Sequence, residues 1–167
     1  MPARAVNHVS VVAHELEASL RFYEDVFAVE RIATPNFGFP VRWLRLGTMQ
    51  LHLFERPDAA PVYHHFAVTV DDFEATYAKA SERDAFDGTV FGHHLYELPG
   101  DCLQLYLRDP AGNLVEVNAP GASALSARLG GQLKRLADVH PQNAENLAAR
   151  LYLEATPEDR TAPREPA

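Results

Sequence analysis

Apolar and polar residues alternate along several short stretches of this chain, and a period of two residues predicts β-strands. The clearest of these stretches are 6–12, 43–46, 49–54, 64–70, 102–108 and 113–118. Apolar residues at helical spacing instead predict two amphipathic helices, over about 16–27 and about 72–83. Weaker patterns predict short strands near 29–33 and between 89 and 97. The order β-α-β-β-β therefore occurs twice.

The two copies are in register along the sequence. His8 and His65, which open the first strand of each copy, are 57 residues apart (65 − 8). Glu17-Ala18 and Glu74-Ala75, inside the helices that follow, have the same separation (74 − 17). One module built twice predicts an α+β fold of paired βαβββ modules.

The chain after Pro120 follows a different pattern. Ser123 is a candidate N-cap for a helix, which Gly130-Gly131 weakens, and a second helix is expected from about Pro141 to Leu153. The apolar stripe of the first of these helices consists of Leu125, Leu129, Leu133 and Leu136. The predicted division is a first module at 1–56, a linker at 57–63, a second module at 64–120, a helical extension at 121–155 and a disordered tail at 156–167.

Charge and composition narrow the classes of partner. The chain has 167 residues, a formal net charge of −8 and a single cysteine, Cys102. A negative charge argues against nucleic acid and anionic membrane surfaces. No apolar run reaches membrane-spanning length, and one cysteine forms no internal disulfide. We therefore expect a cytoplasmic protein that acts on a small molecule, with neither nucleic acid nor a membrane as its partner.

Strand alternation gives each predicted sheet one apolar face and one polar face. The apolar face is expected to cover the amphipathic helices. The polar face carries His8, Ser10, Trp43, Arg45, Gln50, His52, His65, Ala67, Thr69, Gln104, Tyr106, Arg108, Glu116 and Asn118. Because a face this rich in imidazole, amide and charged groups does not form a dry core, we expect it to line a concave, wet cavity.

Four potential metal ligands lie on that polar face. The first strand of each copy supplies His8 or His65, and the last strand supplies His52 in the first copy and Glu116 in the second. Pairing the copies through their turns places His52 opposite Glu116. Two or three neutral imidazoles and one carboxylate suit one divalent transition metal, such as Fe, Mn, Ni, Co or Zn. Glu116 is also the first candidate for a catalytic general base, with Glu97 as the second.

Four motifs carry a resemblance to a known family. They are Asn7-His8-Val9, Leu20-Arg21-Phe22-Tyr23, His65-Phe66-Ala67-Val68 before Val70-Asp71-Asp72, and Asp109-Pro110-Ala111-Gly112-Asn113-Leu114-Val115-Glu116. With these motifs, residues from about 5 to 120 resemble the vicinal oxygen chelate superfamily of glyoxalases, extradiol dioxygenases, fosfomycin-resistance enzymes and bleomycin-binding proteins. The resemblance implies paired modules that form a cupped mixed sheet with helices on its outer face. A homodimer is also expected.

The resemblance further implies a ligand set. The metal ligands of the superfamily match His8, His65 and Glu116, and a fourth position falls at His52. Many enzymes of the superfamily have Glu or Gln at that fourth place, so His52 departs from the glyoxalase pattern. The other three resemble the two-histidine, one-carboxylate set of the dioxygenases and fosfomycin enzymes. His52 therefore either binds the metal or only lines the pocket, and Gln50 is the alternative candidate for the fourth ligand.

The same polar face supplies candidate substrate contacts. They are Phe37 from the loop before the third strand, and Trp43, Arg45, Gln50, Gln104, Tyr106 and Arg108. The aromatic members would wall a substrate, and the two arginines offer guanidinium donors for a carboxylate or phosphate. The plainer alternative is that the aromatic residues pack between the modules and that the arginines are solvated.

These features predict a metal-dependent enzyme in which a small substrate chelates the metal through two neighbouring oxygens. Lyase or isomerase chemistry and ring-cleaving dioxygenase chemistry both fit the ligand set. The alternative is a metal-free protein of the bleomycin-resistance type, which would hold a small molecule in the same cavity.

Overall fold

The computed structural model describes residues 5–152, so the predicted disordered tail at 156–167 lies outside the described residues. In chain order the elements are β1 (His8–Ala13), α1 (Leu16–Phe27), β2 (Glu30–Ile32), β3 (Val41–Leu46), β4 (Met49–Glu55), β5 (His65–Thr69), α2 (Phe73–Glu82), β6 (Leu95–Leu98), β7 (Cys102–Arg108), β8 (Leu114–Pro120), α3 (Ala122–Leu129), β9 (Lys134–Arg135), α4 (Leu136–Val139) and α5 (Ala144–Leu147). No helix in the described range is long and apolar enough to cross a membrane.

The strands form two mixed sheets, one for each module. The first has the order β1-β4-β3-β2, and the second has the order β5-β8-β7-β6-β9. In each module the first strand pairs in parallel with the last, and the other pairs within the module are antiparallel. β9, which follows the second module, pairs in parallel with β6. β1 and β5 are outer strands that begin with His8 and His65. The predicted α+β fold of paired βαβββ modules is confirmed.

One apolar core is shared by both sheets and by helices α1 and α2. Its buried side chains include Leu20, Tyr23, Leu44, Leu51, Leu53, Phe73, Leu95, Leu103, Leu105, Leu107, Val115 and Val117. Because successive residues of a strand point to opposite faces, the predicted metal ligands lie on the sheet faces that turn away from this core. The two polar faces therefore lie on opposite sides of the shared core.

A buried carboxylate joins the two modules. Asp109 begins the turn between β7 and β8, and its Oδ1 accepts the backbone N–H groups of Ala111 and Asn113 at 3.0 and 2.8 Å. Its Oδ2 accepts the Tyr23 hydroxyl at 2.9 Å and the Asn113 amide at 2.7 Å. The same amide donates to the carbonyl of Val12 at 2.7 Å. Since Tyr23 lies on α1 and Val12 on β1, this network fixes the turn of the second module against the first module.

The C-terminal extension contains less helix than the sequence predicts. α3 ends at Leu129, because Gly130 takes φ 51° and ψ −134° and begins the 3₁₀ turn Gly130–Gln132. Leu136, which was expected on the same helix, instead begins the separate turn α4. As far as residue 152, the helix predicted from 141 is reduced to the single turn α5. The expectation of two long helices is therefore wrong.

We expect Tyr23→Phe to lower the free energy of unfolding by about 1–2 kcal/mol, because it removes one donor from a buried carboxylate. Burial, and then the Asp109 carboxylate, raises the pKa of Tyr23, so the hydroxyl is a donor at neutral pH. Tyr63→Phe is the matched control, since it removes a hydroxyl from a residue that is 65% exposed. Urea denaturation measures both variants. An unchanged midpoint for Tyr23→Phe would contradict this role of the network.

Candidate metal centre

Two of the predicted ligands stack with an indole ring on the polar face of the first sheet. His52 lies between His8, at 4.4 Å between ring centroids, and Trp43, at 4.2 Å. His52 Nε2 donates to Gln50 Oε1 at 2.8 Å, which leaves the lone pair of the ring on Nδ1. His52 is 7% exposed, and burial, followed by the nearby His8, lowers its pKa. His52 is therefore a neutral imidazole at neutral pH, which is the form that binds metals.

An open cavity of about 560 Å³ lies over this stack. The residues that line it are Asn7, His8, Ser10, Phe37, Trp43, Gln50, His52 and Phe54. Phe37 lies 5.9 Å from Trp43 between ring centroids and is 45% exposed, so aromatic rings form one wall and its rim. Arg45 is solvent-exposed and pairs loosely with Glu30 at 4.0 Å.

The other two predicted ligands meet on the polar face of the second sheet. His65 Nε2 lies 3.1 Å from Glu116 Oε2, and the Asn118 amide donates to Glu116 Oε1 at 3.0 Å. Glu116 is 5% exposed. Tyr106 lies opposite Glu116 on β7, and burial, followed by the Glu116 carboxylate, raises the pKa of Tyr106. The phenol therefore keeps its proton at neutral pH beside the carboxylate.

The hydrogen bonds of His65 leave its Nε2 facing Glu116. His65 Nδ1 lies 2.9 Å from the carbonyl oxygen of Tyr63, and a carbonyl only accepts, so Nδ1 carries the proton. In the neutral ring Nε2 then carries a lone pair, which faces the Glu116 oxygen at 3.1 Å. Two lone pairs at this distance repel unless a proton or a metal ion lies between them. Two ligand atoms on one ion with bonds of about 2.1 Å are also about 3 Å apart, so this donor pair fits a divalent transition metal.

A loop covers this ligand pair. Phe91 stacks on Tyr106 at 4.4 Å between ring centroids and meets His65 edge-on at 6.0 Å. Asp87 anchors the loop, because its Oδ1 accepts the backbone N–H groups of residues 89–90 at 2.7 and 3.0 Å. The loop therefore holds an aromatic ring against one side of the pair.

The Arg108 guanidinium is hydrogen-bonded to the covering loop and to two backbone carbonyls. Its Nε donates to Asp87 Oδ2, its Nη1 donates to the Gly112 carbonyl at 2.8 Å and its Nη2 donates to the Val62 carbonyl at 3.0 Å. The guanidinium thus holds the covering loop in place, which speaks against the predicted contact with a substrate anion. Gln104, by contrast, is half-buried on the polar face beside β8, as predicted from the alternation.

The structure does not bring the four predicted ligands together in one chain. Among residues 5–152, no three His, Cys, Asp or Glu side chains converge as a metal site. β4 pairs with β1 and β3, and β8 pairs with β5 and β7, so the predicted placement of His52 opposite Glu116 is wrong. The physical reason is the shared core, which turns the two polar faces away from each other. Each chain presents two separate halves: His8 with His52, and His65 with Glu116.

Two residues of the second half were not predicted as part of the site. Asn118 fixes one oxygen of Glu116, and its position two residues later on the same face is a signal that the sequence does offer. Phe91 lies in the stretch 89–97, for which the sequence predicted a short strand, but the strand begins only at Leu95, so that pattern did not place Phe91 beside the ligand pair. Glu97 is bonded to Arg135 at 3.3 Å at the sheet edge, which weakens it as a candidate base.

The sequence matches a known family model. The model for the Glyoxalase/Bleomycin resistance protein/Dioxygenase superfamily matches residues 5–117. The chain belongs to this superfamily. A relative, "Uncharacterized protein YwbC" of Bacillus subtilis (strain 168), is 26% identical over 125 residues, which cover 68% of this chain and 96% of that protein. The resemblance expected from the motifs is therefore confirmed.

Solved structures share the fold of the superfamily. A lactoylglutathione lyase from Agrobacterium tumefaciens is 27% identical, with a TM-score of 0.54, and the match covers 71% of this chain and 95% of that chain. Oxidase ChaP-H2 is 22% identical, with a TM-score of 0.59, and the match covers 72% of this chain and 97% of that chain. The first of these similar structures is named as an enzyme, a lyase. The second, at 22% identity, is evidence for the shared fold alone.

We expect the stability of the protein to fall from about pH 4 to about pH 2, and Asp87→Asn to remove part of this dependence. Burial raises the pKa of Asp87, but hydrogen bonds from Arg108 and from residues 89–90 outweigh burial and hold the pKa at about 2. This pKa is lower than that of an Asp in the unfolded chain. The ionised Asp87 therefore adds about 2 kcal/mol to the free energy of unfolding above pH 4, and protonation of Asp87 at lower pH removes this contribution.

Urea denaturation across this pH range compares the wild type with Asp87→Asn. Asp58→Asn is the control, because Asp58 is an exposed carboxylate in the linker. An Asp87→Asn variant with the same pH slope as the wild type would show that the anchor of the covering loop is not the group that titrates.

Proposed function

We propose that this protein is a divalent-metal-dependent enzyme whose metal centre is completed by two copies of the chain. The observation that carries the proposal is the pair of His65 and Glu116, in which the ring Nε2 faces a carboxylate oxygen at 3.1 Å while Nδ1 is held by a backbone carbonyl. A metal ion between them would take both groups as ligands. Protein zinc sites use three or four protein ligands, so a second half is needed.

We infer that a second copy of the chain supplies the remaining ligands. Within one chain, the half that contains His8 and His52 faces away from the shared core on its other side. β1 and β5 are outer strands with one free edge each among the described residues, and free edges are where another chain adds. In a twofold dimer, His8 of the partner subunit and His52 of the partner subunit would meet His65 and Glu116. The homodimer would then hold two centres.

A divalent metal supplies Lewis acidity toward a substrate that presents two neighbouring oxygens. In this chain, Asn118 donates to Oε1 of Glu116, and Oε2 of the same carboxylate faces His65. Glu116 is therefore oriented to accept a substrate proton, which makes it the candidate general base as well as a ligand. Tyr106 offers a protonated phenol beside it, and Phe91 stacks on the ring of Tyr106.

Two reaction classes fit this arrangement. Lyase or isomerase chemistry is supported by the 27% identity to a lactoylglutathione lyase. Ring-cleaving dioxygenase chemistry is supported by the ligand set, since two histidines and one carboxylate are typical of non-haem iron oxygenases. Oxygen consumption on catechols, with iron or manganese as the bound metal, would distinguish the second class from the first. In either class the substrate is a small molecule.

A metal-free ligand-binding protein is the second candidate, and the aromatic stack favours it. His8, His52 and Trp43 form a continuous stack with Phe37 at the rim, on which a planar molecule can lie. Gln50 already bonds one nitrogen of His52. In this alternative the histidines line a pocket and bind no metal, so metal content separates the two candidates.

We expect protein purified without chelator to hold about one transition-metal ion per chain. His65→Ala and Glu116→Gln each remove a ligand and should lower the metal content by about tenfold or more. His64→Ala is the matched control, because His64 is the exposed neighbour of His65 and is not part of the ligand pair. Elemental analysis gives the result. A wild-type protein without metal, even after incubation with excess divalent ions, would refute the enzyme proposal and favour the metal-free candidate.

Mixing two variants that each bind little metal tests whether one metal centre takes its ligands from both chains of a dimer. His8→Ala and His65→Ala are each expected to hold little metal alone. In a hybrid dimer one centre receives both altered residues and the other receives neither, so random exchange should restore about a quarter of the wild-type metal content. Native mass spectrometry confirms that hybrids have formed. Hybrid dimers without metal would show that the two halves do not complete one another between chains.

A further inference from the structure

The segment 134–152, which we call the strap, crosses the polar face of the second sheet. It begins at β9, which pairs in parallel with β6 at the edge of the sheet. Leu136 then packs against a cluster of Tyr96, Tyr106 and Leu114. In the registers of β6 with β7 and of β7 with β8, these three residues lie on the polar face. The strap therefore turns from the sheet edge onto the face that carries the ligand pair.

The far end of the strap reaches the opposite edge of the same sheet. The Thr69 hydroxyl, at the end of outer strand β5, donates to the Tyr152 hydroxyl at 3.4 Å. Thr69 is the ladder partner of Asn118, and the Asn118 amide donates to Glu116. The strap thus ends beside Thr69, whose ladder partner Asn118 is two residues from Glu116 on β8.

Between these two ends, the strap and the sheet border a cavity of about 360 Å³. Leu98 and Pro99 line it from the sheet, and Leu136, Asn146 and Leu151 line it from the strap. The cavity lies over the same polar face, since Leu98 and Leu136 both pack against the cluster of Tyr96, Tyr106 and Leu114.

Cys102 is the buried thiol beside this cavity. It is the ladder partner of Leu98, lies on the polar face of β7 and is 5% exposed. Burial and Asp101 raise the pKa of the Cys102 thiol, which donates to the Gly100 carbonyl at 3.5 Å. Arg150 of the strap lies against Gly100.

The strap is held more weakly than the rest of the extension. Its helical turns α4 and α5 bury no residue, and Leu147, Leu151 and Tyr152 are between 39% and 52% exposed. By contrast, α3 packs on the shared core through Leu125 and Leu129. Segments with few buried contacts open at a smaller free energy than the whole fold.

We propose that the strap is a gate at the end of the polar face that carries Leu98 and Cys102, where it closes over the cavity and opens to admit small molecules. Leu136 and Tyr152 are its two contacts, one at each edge of the sheet. The gate depends on the proposed function only for the identity of the small molecules that it admits. The contacts that close the gate include no proposed metal ligand, so the gate can be tested separately.

Alkylation of Cys102 by iodoacetamide tests the gate in the full chain, which contains one cysteine. Leu136→Ser and Tyr152→Ala each remove one contact of the strap and should raise the alkylation rate about tenfold. Leu147→Ser is the matched control, because Leu147 lies on the strap but is 52% exposed. Its alkylation rate should stay within about twofold of the wild type.

A core variant separates opening of the strap from loosening of the whole fold. Val11→Ala removes contacts in the first module, far along the chain from the strap. The gate is refuted if Val11→Ala accelerates alkylation as much as the strap variants do, or if the strap variants leave the rate unchanged. Metal content measured on the same samples is a separate readout. A chain without metal in which Cys102 responds to the strap variants would refute the proposed function and leave the gate standing.

Discussion

The relation between the two modules depends on the buried carboxylate of Asp109. Its four hydrogen bonds close the turn before β8 and reach α1 of the first module, while Asn113 extends the network to β1. A carboxylate in a core is strongly unfavourable without donors, so moving one module against the other would break these bonds with nothing to replace them. The orientation fixed in this way keeps the two polar faces on opposite sides of the core.

Alternation along the strands was enough to predict which residues share a face, since a period of two sets the face whatever the order of the strands. It correctly grouped His65 with Glu116 and His8 with His52. It did not reveal that the two groups are separated, because the way in which two modules share a core is a tertiary property. The covering loop around Phe91 lies in a stretch that was predicted as a strand, and the end of α3 depends on the conformation of Gly130. Both therefore needed the structure.

The two halves of the candidate centre differ in how firmly they are arranged. In the half around His65, Glu116 is buried, a backbone carbonyl sets the ring of His65 and Asn118 sets the carboxylate. The half around His8 lies under an open cavity, and His8 itself is exposed. Glu116 therefore sits in a rigid site, whereas His8 stands on a surface where contact with another molecule would fix its position.

Because the two polar faces point away from each other, the number of complete centres would depend on the concentration of the protein. If each centre takes its ligands from two chains, the fraction of complete centres follows the monomer–dimer equilibrium. Well below the dissociation constant, that fraction rises in proportion to the total protein, so the number of complete centres rises with its square. The amount of the protein would then act as a threshold for its own activity, without any effector molecule.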